Sequence, residues 1–270
     1  MSFFFQTLYS GSEGNCCLVG CDGQYILIDA GRNCKAILNA LSSLSISVRD
    51  ISAIFITHEH SDHISALDVV AKNYKIPVFA NGATAAEIRS HTKSLSNDLV
   101  FELENYSSAK NGALCVTPFP LPHDSVSCSG YVVEAEGKRL VVATDMGYLT
   151  GEFASAAKDA DAVVIESNYD EIMLQNSRYP EYLKRRISSK YGHLSNTDCA
   201  EAVSVLARRK AKKIMLAHLS KENNTPDTAL SKSRDALISL GATVCHTVGE
   251  KADLLLAAAP RYTPSERIII

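Results

Sequence analysis

The chain has 270 residues, of which 46% are hydrophobic and 21% are charged, and its formal net charge is −3. It can bury a substantial core, its composition is ordinary for a globular protein, and no apolar run approaches the roughly eighteen residues of a membrane span. The start lacks the basic region and cleavage site of a secretory signal, and the cysteines follow no disulfide framework, so we expect a cytoplasmic protein.

Strands and helices alternate along the chain. Strands are predicted at 3–5, 17–19, 25–29, 51–56, 76–79, 99–103, 113–119, 129–135, 139–144, 162–166, 214–217, 243–247 and 252–257. Helices are predicted at 35–44, 63–73, 83–91, 150–158, 180–190, 196–209 and 226–240. This order predicts an α/β (α+β layered) class, with two sheets between helical layers in a single domain spanning 1–270.

A dense cluster of metal-binding residue types, Thr57-His58-Glu59-His60-Ser61-Asp62-His63, directly follows the predicted strand 51–56. Imidazoles and carboxylates at this density are typical of a divalent-metal site. His58, His60 and Asp62 share one side if the chain stays extended, whereas His63 opens the helical pattern that follows. We therefore expect one loop to serve two neighbouring ions.

Later strands end in further ligand types. His123 follows the strand and the proline-rich run before it, Asp145 ends the apolar run 140–144, and His218 ends 214–217. A lone histidine is more often a core or surface residue than a ligand. Together, however, these residues supply the donors that two four- to five-coordinate ions would still need.

The chain resembles the metallo-β-lactamase fold of metallohydrolases and, within it, the YycJ/WalJ (VicX) exonuclease-like subgroup. The resemblance covers about residues 6–228 and is carried by the segments 11–15, 27–31, 57–64, 144–148, 166–168, 179–180, 183–187, 192–196 and 216–224. It implies an αββα sandwich, with a small helical cap-like segment at about 168–196. Relatives often carry a histidine where this chain has Tyr169, so the role of that position is open.

The resemblance also implies a dinuclear centre. Its first ion would be held by His58, His60 and His123, and its second by Asp62, His63 and His218. Asp145 would bridge them, because the two oxygens of a carboxylate can span metals roughly 3.5–4 Å apart. Zinc suits the imidazole-rich first set, and manganese suits a set richer in carboxylates.

Three further residues receive roles around this centre. Asp29 ends a strand and is expected to orient a ligand histidine by accepting its hydrogen bond. Asp62 would orient the attacking water in addition to binding metal. His193 precedes a helix that Ser195 or Asn196 would cap, and it is our candidate for protonating the leaving group.

A basic segment suggests the substrate. Residues 178–213 contain ten Lys or Arg against three acids, a charge of +7 on an otherwise acidic chain. Together with the resemblance, this favours a phosphodiesterase acting on nucleic acid, specifically a 5′-to-3′ exonuclease on DNA more than RNA, without a membrane partner. The predicted substrate contacts are Lys184, Arg185, Arg186, Ser220 and Asn223. The alternatives are a small-molecule (cyclic) phosphodiesterase, then a thioester or lactam hydrolase, then a non-catalytic binding protein.

Overall fold

The computed structural model describes residues 2–92 and 94–270. The chain packs into two compact units. The first comprises Met1–Pro120, Ser125–Lys138 and Pro260–Ile270, and the second comprises Leu121–Asp124 and Arg139–Ala259. The single domain expected from the sequence stays a prediction.

The strands, in chain order, are β1 (Phe4–Tyr9), β2 (Cys16–Cys21), β3 (Gln24–Ile28), β4 (Ile51–Phe55), β5 (Val78–Ala80), β6 (Val100–Glu102), β7 (Ala109–Asn111), β8 (Leu114–Leu121), β9 (Cys128–Ala135), β10 (Lys138–Ala143), β11 (Ala162–Glu166), β12 (Lys213–Ala217), β13 (Val244–Cys245), β14 (Leu254–Ala258) and β15 (Ile268–Ile269). The α-helices are α1 (Cys34–Ser43), α2 (Ser61–Ile64), α3 (Leu67–Tyr74), α4 (Gly82–His91), α5 (Gly151–Ala156), α6 (Glu171–Asn176), α7 (Glu181–Ile187), α8 (Asn196–Ala207) and α9 (Pro226–Ser239). None of the described helices is long and apolar enough to cross a membrane.

In the first unit, a mixed sheet has the strand order β15-β1-β2-β3-β4-β5-β6. Strands β1 to β3 pair antiparallel, and β3 to β6 pair parallel. The carboxyl ends of β3 and β4 therefore lie at one edge, where the Asp29 amide donates to the Phe55 carbonyl at 2.8 Å. The first unit thus brings Asp29 next to the start of the histidine cluster.

The helix predicted at 63–73 is divided into α2 and α3. The Ala66 amide donates to the Ala30 carbonyl instead of the carbonyl four residues before it, and the Asp62 carbonyl accepts from the Asn15 amide. Tertiary hydrogen bonds therefore end α2 after one turn. Asp62 lies inside this turn, so the extended continuation through Asp62 that would align it with His58 and His60 does not occur.

The final strand covers the edge of β1. Ile268 pairs with Phe5 and Ile269 with Phe4 in an antiparallel register. The Ser265 side chain also accepts from the Thr7 amide at 3.1 Å. The C-terminal isoleucines therefore dock within the first unit, a placement that the sequence left open.

In the second unit, β10, β11, β12, β14 and β13 run parallel, in that order across the sheet. Parallel strands bring their carboxyl ends to one edge, which is where open α/β sheets bind ligands. Asp145, Glu166 and His218 follow or end three adjacent strands at this edge. Helices α6 and α7 enclose a small apolar cluster of Tyr169, Leu174 and Ile187, within the segment predicted to be cap-like.

Candidate metal centre

The first unit holds the four clustered metal-ligand candidates in the loop after β4 and the single turn of α2. His58 and His63 are fully buried. The His58 ring centroid lies 4.6 Å from that of His60 and 4.1 Å from that of His63. The Asp62 Oδ2 atom is 3.4 Å from His63 Nε2. The donors of this cluster therefore lie close together.

Asp29 and Thr57 fix the orientation of this cluster. Asp29 accepts from His63 Nδ1 at 2.7 Å, from the Thr57 hydroxyl at 2.9 Å and from the Thr57 amide at 2.8 Å. The Thr57 hydroxyl is also 3.0 Å from His58 Nδ1. A carboxylate that holds Nδ1 of a histidine leaves Nε2 for an ion. Asp29 thus makes the contact that its expected orienting role requires.

The glycine-rich loop before β2 packs against the same turn. The Asn15 Nδ2 atom lies 3.1 Å from His63 Nε2, and the Asn15 amide donates to the Asp62 carbonyl. A Cβ at Gly31 would lie 1.6 Å from the Asp62 carbonyl oxygen. Only glycine permits this approach, which explains a glycine two residues after Asp29.

The second unit groups two carboxylates and two histidines at the edge of its parallel strands. Candidate ligand atoms of Asp145, Glu166, His193 and His218 all lie within 4.8 Å of one another. The Asp145 Oδ1 atom is 3.3 Å from His218 Nδ1, 3.5 Å from His193 Nδ1 and 3.7 Å from His123 Nε2. Asp145 therefore lies at the centre of this group.

Glu166 links the two histidines. Its Oε1 accepts from His218 Nδ1 at 2.7 Å and from His193 Nδ1 at 2.8 Å, and its Oε2 accepts from the amides of Met146 and Leu194 at 2.9 and 3.0 Å. Burial alone would raise the pKa of Glu166, but the charge of His193 and hydrogen bonds from both histidines lower it to about 2. An ionised carboxylate only accepts, so Nδ1 of both rings carries the proton and Nε2 of both rings faces away.

His123 is oriented by the backbone. Its Nδ1 lies 3.0 Å from the Gly192 carbonyl, which places the proton on Nδ1 and directs Nε2 toward Asp145. Burial lowers the pKa of His123 from its ordinary value, although Asp145 and other carboxylates oppose this shift. The ring is therefore neutral near pH 7, which is the form that binds a metal.

Three site residues have left-handed backbone conformations: φ is +65° at Asp29, +60° at Asp145 and +53° at His218. Residues with a Cβ rarely adopt this conformation, and such strain often occurs at functional sites. Each residue comes directly after a strand or within two residues of its end. The turn redirects the side chain at the strand edge.

The residues predicted to contact substrate lie in different settings. Arg186 forms a two-bond ion pair with Asp124, at 2.5 and 3.1 Å. Arg185 pairs with Glu181 at the surface, and the Lys184 ammonium donates to the Gln175 carbonyl at 2.6 Å. Arg186 therefore holds α7 next to His123 and is less available to a phosphate than its neighbours.

The other two predicted contacts, Ser220 and Asn223, are buried in the turn before α9. The Ser220 hydroxyl accepts from the Asn223 amide at 3.2 Å. This contact is the structural alternative, a turn before a helix, and the substrate role of both residues stays a prediction. His193 precedes α8, which Ser195 caps by accepting from the Asp198 amide at 3.1 Å.

The basic segment does not form one surface. Arg208, Arg209, Lys212 and Lys213 lie at or before the amino end of β12, whereas His218 follows its carboxyl end. Five strand residues separate the two ends by roughly 16 Å. Only the cations between Arg178 and Lys190 remain as candidates near the site.

A β-lactamase superfamily domain matches residues 24–219. The chain is also 37% identical to the exodeoxyribonuclease YycJ of Bacillus anthracis over 229 residues, which cover 85% of this chain and 87% of that protein. The chain belongs to the β-lactamase superfamily. Within the superfamily it belongs with YycJ and with the exodeoxyribonuclease WalJ of Streptococcus pneumoniae, which is 36% identical over 85% of this chain and 86% of its own length.

A solved structure shows the same fold for this superfamily member. Zn²⁺-bound PqqB from Methylobacterium extorquens matches with a TM-score of 0.72 and 15% identity, over 97% of this chain and 99% of that one. The layered metallo-β-lactamase fold predicted from the sequence is therefore confirmed. The resemblance to the YycJ/WalJ subgroup is confirmed as well.

The donors of this superfamily member fit a divalent ion. They are imidazoles and carboxylates, and His63, His123 and His218 each have Nδ1 engaged by an oxygen. Ligands about 2.1 Å from one tetrahedral ion are roughly 3.4 Å apart, which is the separation between Asp62 Oδ2 and His63 Nε2. Divalent-metal binding is therefore supported, without a choice of metal or number of ions.

Sequence reasoning gave no role to Glu166, Thr57 or Asn15. One signal was present: Glu166 closes an apolar strand, as a ligand carboxylate would. Its histidine partners are 27 and 52 residues away in sequence, so no local spacing revealed them. Tyr169 packs in the apolar cluster of the α6–α7 segment, and burial raises its pKa to about 12.

Proposed function

We propose that this protein is a metal-dependent exonuclease that degrades DNA from the 5′ end in the cytoplasm. The observation that carries the proposal is the identity of 36–37% to YycJ and WalJ over 85% of the chain. The absence of any disulfide among its cysteines, all of which lie in the described residues, fits a reducing compartment. Nothing in the site specifically favours a cyclic phosphate, thioester or lactam.

We assign the ligands in two sets. His58, His60 and His123 would hold the first ion, and Asp62, His63 and His218 the second. Asp145 would bridge them. The contacts that hold the Nδ1 atoms of His63, His123 and His218 support this assignment because they leave Nε2 of each ring for an ion. Zn²⁺ and Mn²⁺ are both compatible with these donors.

Two bound divalent ions would lower the pKa of a water and stabilise negative charge on a phosphate oxygen. Asp62 would orient that water for attack on phosphorus. The attack forms one phosphorus–oxygen bond and breaks the ester bond to the leaving oxygen. Two charges therefore need partners, and the chain must supply a proton for the leaving oxygen.

His193 can supply that proton through Nε2. Its Nδ1 proton is held by ionised Glu166 at 2.8 Å, and this carboxylate stabilises the doubly protonated ring. The side chain is only partly buried, so its Nε2 can reach a bound substrate. Glu166 acts through His193 and is a positioning residue.

The decisive experiment measures digestion of 5′- and 3′-labelled DNA and RNA, single- and double-stranded, with Mn²⁺, Zn²⁺ or Mg²⁺ added to metal-free protein. We expect mononucleotides to appear first from the 5′ label of DNA, and chelation to stop the reaction. Hydrolysis of cyclic or other small phosphodiesters, with no digestion of any polynucleotide, would reverse the order of the two leading candidates.

A charge variant tests whether the nearby cations grip the substrate backbone. The double change Lys184→Gln and Arg185→Gln should raise KM for duplex DNA and reduce the log–log salt slope by about 1.8, since each phosphate contact contributes about 0.9. The matched control, Arg208→Gln with Lys212→Gln, removes the same charge at the amino end of β12. Equal effects of both pairs would mean that only net charge matters.

A further inference from the structure

The second unit exposes large aromatic side chains beside its group of carboxylates and histidines. Tyr148 is 46% exposed and Tyr191 is 61% exposed. Tyr148 comes three residues after Asp145, and Tyr191 comes two residues before His193. Neither ring is needed to cover the core, and both are next to candidate site residues.

The two tyrosines lie on neighbouring segments. Gly147, which precedes Tyr148, approaches the backbone before Tyr191 so closely that a Cβ there would be 2.2 Å from the Lys190 carbonyl oxygen and 2.8 Å from the Tyr191 nitrogen. The Gly147 amide also donates to the Pro122 carbonyl at 2.9 Å. The glycine thus permits the contact that brings the two aromatic positions together.

The loop that carries Tyr191 is fixed by hydrogen bonds. The Tyr191 carbonyl accepts from the Asp124 amide at 2.9 Å, and the His193 amide donates to the Ile187 carbonyl at 2.8 Å. The ion pair of Arg186 with Asp124 holds the same loop to α7. A ligand that binds Tyr191 therefore meets a backbone position that is already ordered, which lowers the entropic penalty of binding.

The charge beside these rings is positive. Lys190, directly before Tyr191, is exposed, and so are Arg178 and Arg185. Aromatic side chains interleaved with cations form the usual surface for single-stranded nucleic acid, in which bases stack on rings while cations follow the phosphates. In a duplex most base faces are covered by neighbouring pairs, so such a surface favours unpaired ends.

We propose that Tyr148 and Tyr191 stack on unpaired bases at the end of a DNA strand and that Lys190 contacts its backbone. This inference rests on the proposed function and adds to it a preference for single-stranded ends. Each base–aromatic stack contributes roughly 5- to 150-fold in affinity. The tyrosines are binding residues and take no part in the chemical step.

The test compares Tyr191→Ala and Tyr148→Ala with the matching phenylalanine variants and with Tyr106→Ala. Tyr106 is 65% exposed and belongs to the first unit. The substrates are a 5′-labelled single strand and the same strand with abasic sites at its first three nucleotides. We expect each alanine variant to raise KM for the intact strand by about 5- to 150-fold, and phenylalanine to restore it. Tyr106→Ala should behave as the wild type.

The abasic strand separates stacking from a structural effect. Wild-type protein should bind it about as weakly as the alanine variants bind the intact strand, and the variants should lose little more. An equal loss on both strands, or no loss on either, would overturn the stacking proposal while the nuclease activity stands. Failure of the wild type to digest any DNA would overturn the proposed function and this inference together.

Discussion

Replacing Glu166 by glutamine should weaken both the fold and metal binding. The glutamine oxygen can accept either from His193 and His218 or from the amides of Met146 and Leu194, but its NH₂ group then faces the other two donors. Two buried donors would be left without acceptors, at about 1–3 kcal/mol each, so the free energy of unfolding should fall by about 2–6 kcal/mol. Loss of the contact to His218 should also weaken metal binding by about 10- to 100-fold.

Denaturant titration of metal-free protein and competition with a chelating dye measure these two effects. Glu201→Gln, at an exposed position of α8, is the matched control and should change neither. If Glu166→Gln retains both the wild-type stability and the wild-type metal affinity, the hydrogen-bond argument for Glu166 is wrong. Loss of stability with unchanged metal affinity would leave Glu166 only a structural role.

The pH dependence of the same variant has a defined sign. The pKa of Glu166 is lowered from 4.5 to about 2 in the folded protein, so folding favours the carboxylate. Its stabilising contribution is complete above the unfolded pKa of 4.5 and is lost as pH falls toward the folded pKa of about 2. The stability difference between wild type and Glu166→Gln should therefore shrink between pH 5 and pH 3, whereas a constant difference would contradict this linkage.

Two other predictions concern the bridging carboxylate and the thiols. Asp145→Ala should abolish nuclease activity and reduce metal content by elemental analysis, while Asp29→Ala should lose only about 10- to 100-fold, since it acts through His63; equal losses in two folded variants would contradict the assigned roles. Burial raises the pKa of Cys17 and Cys199 to about 12, so a disulfide reagent at pH 8 should modify at most the partly exposed Cys34 and Cys115 in native protein, and all eight thiols after denaturation. Rapid native labelling beyond those two would show that the core opens.

The sequence was most informative where an apolar run ended in a ligand residue. His58, His123, Asp145 and His218 each follow a strand, and parallel pairing of β10, β11 and β12 brings the later ends together. Hydrophobic patterning reports this arrangement because the strands are buried on both faces. It also locates α1, β11 and α9 with little error at their ends.

The remaining features depend on contacts between distant residues. The break between α2 and α3 arises from hydrogen bonds to Ala30 and Asn15, which no local pattern contains. Strands β7 and β15 and helix α6 are too short to show a period. The basic segment looked continuous in sequence, but the turn into β12 sends Arg208–Lys213 to the other end of the strand from His218. Charge counted along a chain therefore does not locate a charged surface.

The left-handed conformations of Asp145 and His218 imply that catalysis and folding make opposite demands on these positions. A residue with a Cβ in this conformation costs about 1–2 kcal/mol relative to the ordinary right-handed one, and glycine avoids most of that penalty. Glycine at either position would relieve local strain while removing the side chain. Mutational drift at this strand edge can thus produce stable, correctly folded descendants that have lost the chemistry, and among distant relatives intact folding is a poor guide to retained activity.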